Sequence, residues 1–254
     1  MIRRLLNNVI ETTYLQGENV YYQNIFASSE TKQFAWLTRF APCFPIKSSN
    51  ISILNDPHQF YDILLQLSQC ARTRITFASL YFGSGTLEKN LVENVLKNTN
   101  FQNGSLEVNV LLDYTRGSRF SDNSRTTLLP LLNKNNKKCQ ISLYHTPVLR
   151  GVLKKIVPNK WNELFGLQHM KLYIFDDTLV ISGANLSNDY FTNRQDRYFL
   201  IKDKKLCDFY SGLVSKIQMF SLVIDKKNNV NLNKNWDIWP YKGKKIILLL
   251  TLEI

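Results

Sequence analysis

Cysteine is scarce and scattered. The four residues Cys43, Cys70, Cys139 and Cys207 contain no C-x-x-C pair. That argues against a disulfide framework or a zinc cluster and for reduced, mostly structural thiols. Acidic residues are also in deficit. Twenty Asp and Glu face 32 Lys and Arg, a net charge of +12 with a pI of about 9.5. Such a balance favours anionic partners: phosphate-bearing substrates, anionic lipid surfaces or nucleic acid. No apolar run approaches the roughly 18 residues needed to cross a bilayer, so any membrane contact is peripheral. There is no internal repeat, no Gly-Lys-Ser/Thr of a P-loop, and no clustering of carboxylates that would suggest a metal site. What is present in quantity is apolar side chain, 44% of 254 residues. That is enough for a sizeable core and argues against global disorder.

From Ile51 the chain alternates between strand and helix patterns. Strands are expected at 51–54, 74–79, 107–112, 139–144 and 198–201. Helices are expected at 57–67, with Asn55 or Asp56 as cap and Pro57 at its first position, and at 87–96, 122–132 and 205–220. The stretch 149–165 reads as irregular or partly helical. Repeated alternation of this kind implies a layered α/β domain around a mixed, mostly parallel sheet. Residues 1–33 read as a leader, 34–225 as the domain, and 226–254 as a linker and tail. Met1–Leu15 carries Arg3 and Arg4 with Glu11 as its only acid, a pattern that suits either a mitochondrial presequence or an ordinary leading helix.

The chain is organised around Gln168–Tyr198, where His169, Lys171 and Asp176 fall in the spacing His-x-Lys-x-x-x-x-Asp. Lys171–Phe175 alternates as a strand does, so His169 and Lys171 leave the same face. Asp176 and Asp177 turn the chain, and Thr178–Ile181 returns as the second strand of a hairpin. An imidazole beside an ammonium suits an anionic phosphoryl group: the ring can attack phosphorus while the lysine holds non-bridging oxygens. Ser182-Gly183-Ala184-Asn185 follows, a small-residue turn where backbone can approach a phosphate. Asn193, Arg194, Asp196 and Arg197 then crowd one polar loop.

Three further stretches carry polar chemistry. Ala78, Ser79, Leu80, Tyr81, Phe82, Gly83, Ser84 and Gly85 place a glycine turn after a strand and before a helix. It is either a phosphate-presenting turn or a plain connection. Arg116 and Arg119 flank Gly117 at the end of another strand, either a bidentate phosphate grip or a solvated basic loop. His145 ends the next strand but has Pro147, not Lys, two residues on, and is read as structural or supporting. His58 is expected on a helix surface.

The triplet resembles the signature of the phospholipase D superfamily. Longer strings resemble one branch of it, the eukaryotic mitochondrial phosphatidylglycerophosphate synthases. These are FAWLTRFAPCFP (34–45), ASLYFGSG (78–85), LLDYTRGSR (111–119), SRTTLLPLL (124–132), YHTPVLRG (144–151), GLQHMKLYIFD (166–176) and SGANLSNDYFTNRQDRY (182–198). Many superfamily members carry Gly-Ser-x-Asn where this chain has Ser-Gly-Ala-Asn. The resemblance implies an α/β/α sandwich and a phosphatidyltransferase. CDP-diacylglycerol and glycerol 3-phosphate would be its substrates, with release of CMP through a phosphatidyl-histidine. It implies His169 as nucleophile, Lys171 on the phosphate oxygens, and Asp176 and Asp196 as tuning groups. Asn185 would contact phosphate, and 78–85 would be a nucleotide-binding stretch. The chemistry needs no metal or other cofactor, although an ATP or other nucleotide site at 78–85 is carried over. The implied location is the mitochondrion, at the inner membrane, with an anionic membrane surface as peripheral partner; the matching strings point away from nucleic acid.

One His-x-Lys motif is present, whereas the synthase family carries a second in its C-terminal half. Residues 244–254, KKIILLLTLEI, match nothing expected there. The chain therefore reads as the N-terminal half of such an enzyme. Two alternatives stay open: a phospholipase D-like phosphodiesterase or nuclease that pairs two copies about a two-fold axis, and a catalytically inactive lipid-surface binding fragment.

Overall fold

The computed structural model describes residues 28–134, 136–146 and 166–235. The expectations for 1–27, 149–165 and 244–254 lie outside the described residues. Strands β1 (Ile51–Leu54), β2 (Arg74–Ala78), β3 (Glu107–Asp113), β4 (Cys139–Tyr144), β5 (Leu172–Phe175), β6 (Thr178–Ile181), β7 (Tyr198–Lys202), β8 (Leu222–Ile224) and β9 (Val230–Asn231) form one sheet in the order β1-β7-β6-β5-β2-β3-β4-β8-β9. The longer helices are α1 (Pro57–Cys70), α2 (Thr86–Lys97), α3 (Ser124–Asn133) and α5 (Lys204–Gln218), with a short α4 (Asn188–Thr192).

Local chemistry sets these boundaries. Asp56 caps α1 by accepting from Gln59 N–H at 2.9 Å, with Pro57 in the first turn, where its missing N–H costs nothing. Asn123 and Thr126 form a reciprocal capping box at the start of α3. Asp203 caps α5 through Leu206 N–H at 2.7 Å.

Alternation along the strands divides the apolar residues between two cores. Tyr173 and Phe175 face a layer made by α1, α2, α3 and α4, where Phe60 stacks on Tyr198 at 4.7 Å. Leu172 and Ile174 face α5, with Leu206, Cys207 and Val214 opposite. Each fully buried Phe or Leu contributes about 2 kcal/mol, so the central strands are held from both faces.

The expected α/β/α architecture is thus present. The sheet is mixed, but the expectation that it is mostly parallel is corrected. Only β2–β3 and β3–β4 pair in parallel among the described strands, and every other neighbour is antiparallel. The reason is the run of direct hairpins β5–β6 and β8–β9 and the antiparallel β6–β7 pair, which need no crossover helix. The tail boundary moves as well. Val230–Asn231 pairs with β8, and Asn233 Nδ2 donates to Gln218 O at 2.9 Å, so the stretch expected as a linker from 226 begins inside the domain.

Position follows from this pairing. The parallel strands β2, β3 and β4 end at one edge of the sheet, and β5 starts there, Leu172 opposite Ala78. β6 ends and β7 begins at the same edge, Ile181 opposite Phe199.

Candidate active site

His169 and Lys171 stand at that edge. Gln168 anchors the approach: its N–H donates to Asp113 Oδ2 and its Nε2 to Leu111 O, each at 3.3 Å. Lys171 is 7% exposed, whereas the His169 residue is exposed. The Lys171 Nζ lies 2.9 Å from His169 Nδ1 and 3.0 Å from His169 O. Burial pulls the lysine down to a pKa of about 8, against the opposing pull of the Asp196 carboxylate. A buried ammonium next to an exposed imidazole is an arrangement chemically suited to an anionic phosphoryl group.

Asp196 is positioned by backbone. Its Oδ1 accepts from Gly183 N–H at 3.0 Å and from Arg197 N–H at 2.7 Å. A Cβ at Gly183 would stand 2.6 Å from Asp196 Oδ2, so glycine is what lets the carboxylate in. Asn185 is buried with its Oδ1 3.4 Å from Ser79 Oγ, which also reaches Tyr81 O at 3.0 Å. Tyr173, reaching up from the strand, donates from its hydroxyl to Ala184 O at 2.5 Å. Ser79, Asn185 and Tyr173 thus tie the end of β2 to the turn after β6.

Arg116 and Arg119 lie on the loop after β3. Asp113, buried, caps the helical turn Tyr114–Gly117 by accepting from Thr115 N–H and Arg116 N–H, both at 3.0 Å. Burial raises the Asp113 carboxyl above its usual range. The Arg116 guanidinium sits over the Tyr81 ring at 5.6 Å. Both arginines, with Tyr81, Gly83, Ser84 and Phe120, line a cleft of about 260 Å³.

The inner side of the glycine turn is taken. Glu88, 2% exposed, leaves no space for a ligand: its carboxylate lies where a Cβ on Gly83 or Gly85 would go, and its Oε1 accepts from Asn188 N–H at 2.5 Å. A phosphate on the α2 N-terminus would meet that carboxylate. The expectation of a phosphate-presenting turn is corrected on this point, and the open space along 78–85 is the arginine cleft on its other side. The signal was legible, since an acid three residues into a helix is a capping position.

Asp176 is not brought to the site. It turns the hairpin at the opposite edge, where it accepts from Arg72, Thr73 and Arg74 N–H groups. Six residues separate it from His169, four of them in β5, a span of up to roughly 23 Å. Its expected tuning role is therefore corrected to a structural one. His145 is buried against the Tyr114 ring at 5.6 Å between centroids. His58 is exposed on α1. Asp113, Gln168 and Glu88 are the polar residues that sequence reasoning gave no role.

An α/β/α sandwich with a His-x-Lys pair at the C-terminal edge of its parallel strands defines a domain of the phospholipase D type. A family model described as "Cardiolipin synthase, PLD-like domain" matches residues 64–217, and the chain belongs to this family. It is 44% identical over 220 residues to the mitochondrial CDP-diacylglycerol–glycerol-3-phosphate 3-phosphatidyltransferase of Gallus gallus, covering 84% of this chain and 39% of the relative. It is likewise 44% identical over 190 residues to the CDP-diacylglycerol–glycerol-3-phosphate 3-phosphatidyltransferase of Schizosaccharomyces pombe, covering 74% and 36%. The chain thus spans about two fifths of the length of the curated relatives it matches. Among solved structures it resembles the phosphatidylserine synthase of Haemophilus influenzae, with TM-score 0.57 and 22% identity over 75% of this chain and 41% of that one. It also resembles Nuc, a phospholipase D family member of Salmonella typhimurium, with TM-score 0.50 and 15% identity over 69% and 99%. At these identities both show the fold.

Proposed function

We propose that this chain carries the first half-site of a phosphatidyltransferase that makes phosphatidylglycerophosphate from CDP-diacylglycerol and glycerol 3-phosphate. The observation that carries the reading is the 2.9 Å contact between Lys171 Nζ and His169 Nδ1 at the sheet edge. The names of the 40–44% identical relatives support the choice of substrates. Lys171 engages Nδ1, so Nε2 is the nitrogen that attacks. As the phosphodiester arrives, its oxygens draw the ammonium from the ring, the neutral ring shifts its proton from Nε2 to the vacated Nδ1, and the Nε2 lone pair is free to attack. The Nε2–P bond forms, the P–O bond to CMP breaks, and CMP leaves as its phosphate anion. A hydroxyl of glycerol 3-phosphate then attacks phosphorus, the N–P bond breaks, and the hydroxyl proton passes to a base supplied by a second motif. In this reading Asp196 tunes the lysine, and Asn185, Arg116 and Arg119 hold phosphate oxygens. The relatives' mitochondrial names support a mitochondrial location, and a lipid substrate supports association with the inner membrane.

The test measures CMP release from CDP-diacylglycerol with and without glycerol 3-phosphate, in wild type and His169→Ala, together with labelled phosphatidyl retained on protein when the acceptor is omitted. Release and label that both vanish in the variant are expected. Release indifferent to His169→Ala overturns the reading. Cleavage of single-stranded DNA with no CMP release turns it to the two-copy nuclease.

A further inference from the structure

Phe120 is 80% exposed, the most exposed large apolar side chain among the described residues. Its backbone is left-handed, φ 71°, a conformation that costs a bulky L-residue about 1–2 kcal/mol. The strain is held in place: Asn123, whose Oδ1 caps α3, donates from Nδ2 to Phe120 O at 2.7 Å. The root of the loop is packed as well, since Gly117 is buried. The Arg119 guanidinium sits 5.6 Å over the Phe120 ring. The loop thus holds an aromatic ring outward, in a strained backbone conformation and with a cation on it, at the mouth of the arginine cleft and on the edge that carries His169.

We propose that Phe120 and Arg119 form an interfacial anchor that seats this edge on an anionic lipid surface. The inference rests on the lipid-substrate reading above. Acyl chains cannot leave the bilayer at low cost, so a phosphodiester reaches His169 only if the mouth of the site faces the headgroups. An aromatic ring inserted at headgroup depth, beside an arginine that meets lipid phosphate, satisfies both demands. The excess positive charge of the chain complements the same surface.

Flotation of the purified protein with vesicles of phosphatidylcholine containing phosphatidylglycerol, against phosphatidylcholine alone, tests this. Binding should require the anionic lipid. Phe120→Ser should weaken it about tenfold, and Arg119→Glu should weaken it and reduce its salt dependence. Phe120→Trp should retain binding, and its added emission should shift to the blue when vesicles are present. Thermal unfolding at or above the wild-type midpoint for Phe120→Ser, which relieves no buried contact, shows that the loss is not misfolding. Equal vesicle binding by wild type and Phe120→Ser overturns the anchor, and so does an unshifted added emission in the Phe120→Trp protein. The same holds for a single-stranded oligonucleotide whose binding is lost in Phe120→Ser while vesicle binding persists. None of these readouts uses turnover, so failure of the anchor leaves the His169-dependent CMP release to stand or fall separately.

Discussion

Removal of the Asp176 carboxylate separates structure from chemistry in the His-x-Lys-x-x-x-x-Asp triplet. Asp176 Oδ1 accepts from Thr73 N–H and Thr73 Oγ1 at 2.7 Å each and from Arg74 N–H at 3.2 Å, and Oδ2 accepts from Arg72 N–H at 2.9 Å. These donors hold its carboxyl below the usual range despite the opposing effect of burial. Its φ of 52° is left-handed, which aspartate tolerates and alanine does not. Loss of the charged hydrogen bonds costs about 2 kcal/mol, and the alanine backbone about 1 more. Asp176→Ala should therefore destabilise by about 3 kcal/mol, a fall in Tm of roughly 6–12 °C for a domain of this size. Asp176→Asn, which keeps the left-handed turn, should lose about 1 kcal/mol. The folded carboxyl titrates below its unfolded value, so its contribution is fully present above about pH 4 and is lost as pH falls through the folded pKa. The gap between wild type and Asp176→Ala should narrow over that range toward the backbone part, which does not titrate. Urea unfolding from about pH 3 to about pH 7, with phosphate affinity measured on the same samples, checks all of this. A stable Asp176→Ala protein that no longer binds phosphate would refute the assignment and return Asp176 to the site.

Three other outcomes are expected. Phosphate or CMP affinity should fall up to tenfold per pH unit above about 8, because the free Lys171 loses its proton there and an anion restores it; calorimetry in two buffers should show proton uptake, and flat affinity from about pH 7 to about pH 9.5 would count against the lysine. Gly183→Ala should expel Asp196, removing the charge that holds the lysine pKa up, so the midpoint of that profile should move to lower pH, as it should in Asp196→Asn. Asn98→Ala should cost about 3 kcal/mol in urea unfolding, since its buried Nδ2 donates to Ser68 O, Gln69 O and Ala71 O at 2.9–3.0 Å.

Much of this molecule is local, and local features were legible in the chain. The two-residue period of a strand puts His169 and Lys171 on one face whatever surrounds them, and the structure closes that pair to 2.9 Å. Asp56 and Pro57 mark the start of α1, and the Asp176–Asp177 turn between apolar runs marks the hairpin, because caps and two-residue turns depend on neighbours a few positions away. The strand at Cys139–Tyr144 needed only the alternation of apolar Cys139, Ile141 and Leu143 with polar Gln140 and Ser142.

What depends on pairing between distant segments was decided by the tertiary structure. Sequence spacing made Asp176 a companion of His169, but strand direction carries it to the far edge of the sheet. Asp196, well downstream, comes to Lys171 because β6 and β7 run antiparallel and open at the same edge. The glycine turn at Gly83–Gly85 read as room for a phosphate until packing of α2 against α4 filled it with Glu88. The sheet is mostly antiparallel because the β5–β6 and β8–β9 hairpins and the β6–β7 pair outnumber the crossovers, a property of strand order that no single stretch encodes. Side-chain period and capping are set over a few residues of backbone; register and direction between strands are set by which apolar faces must be buried together, and that is settled only when the whole core closes.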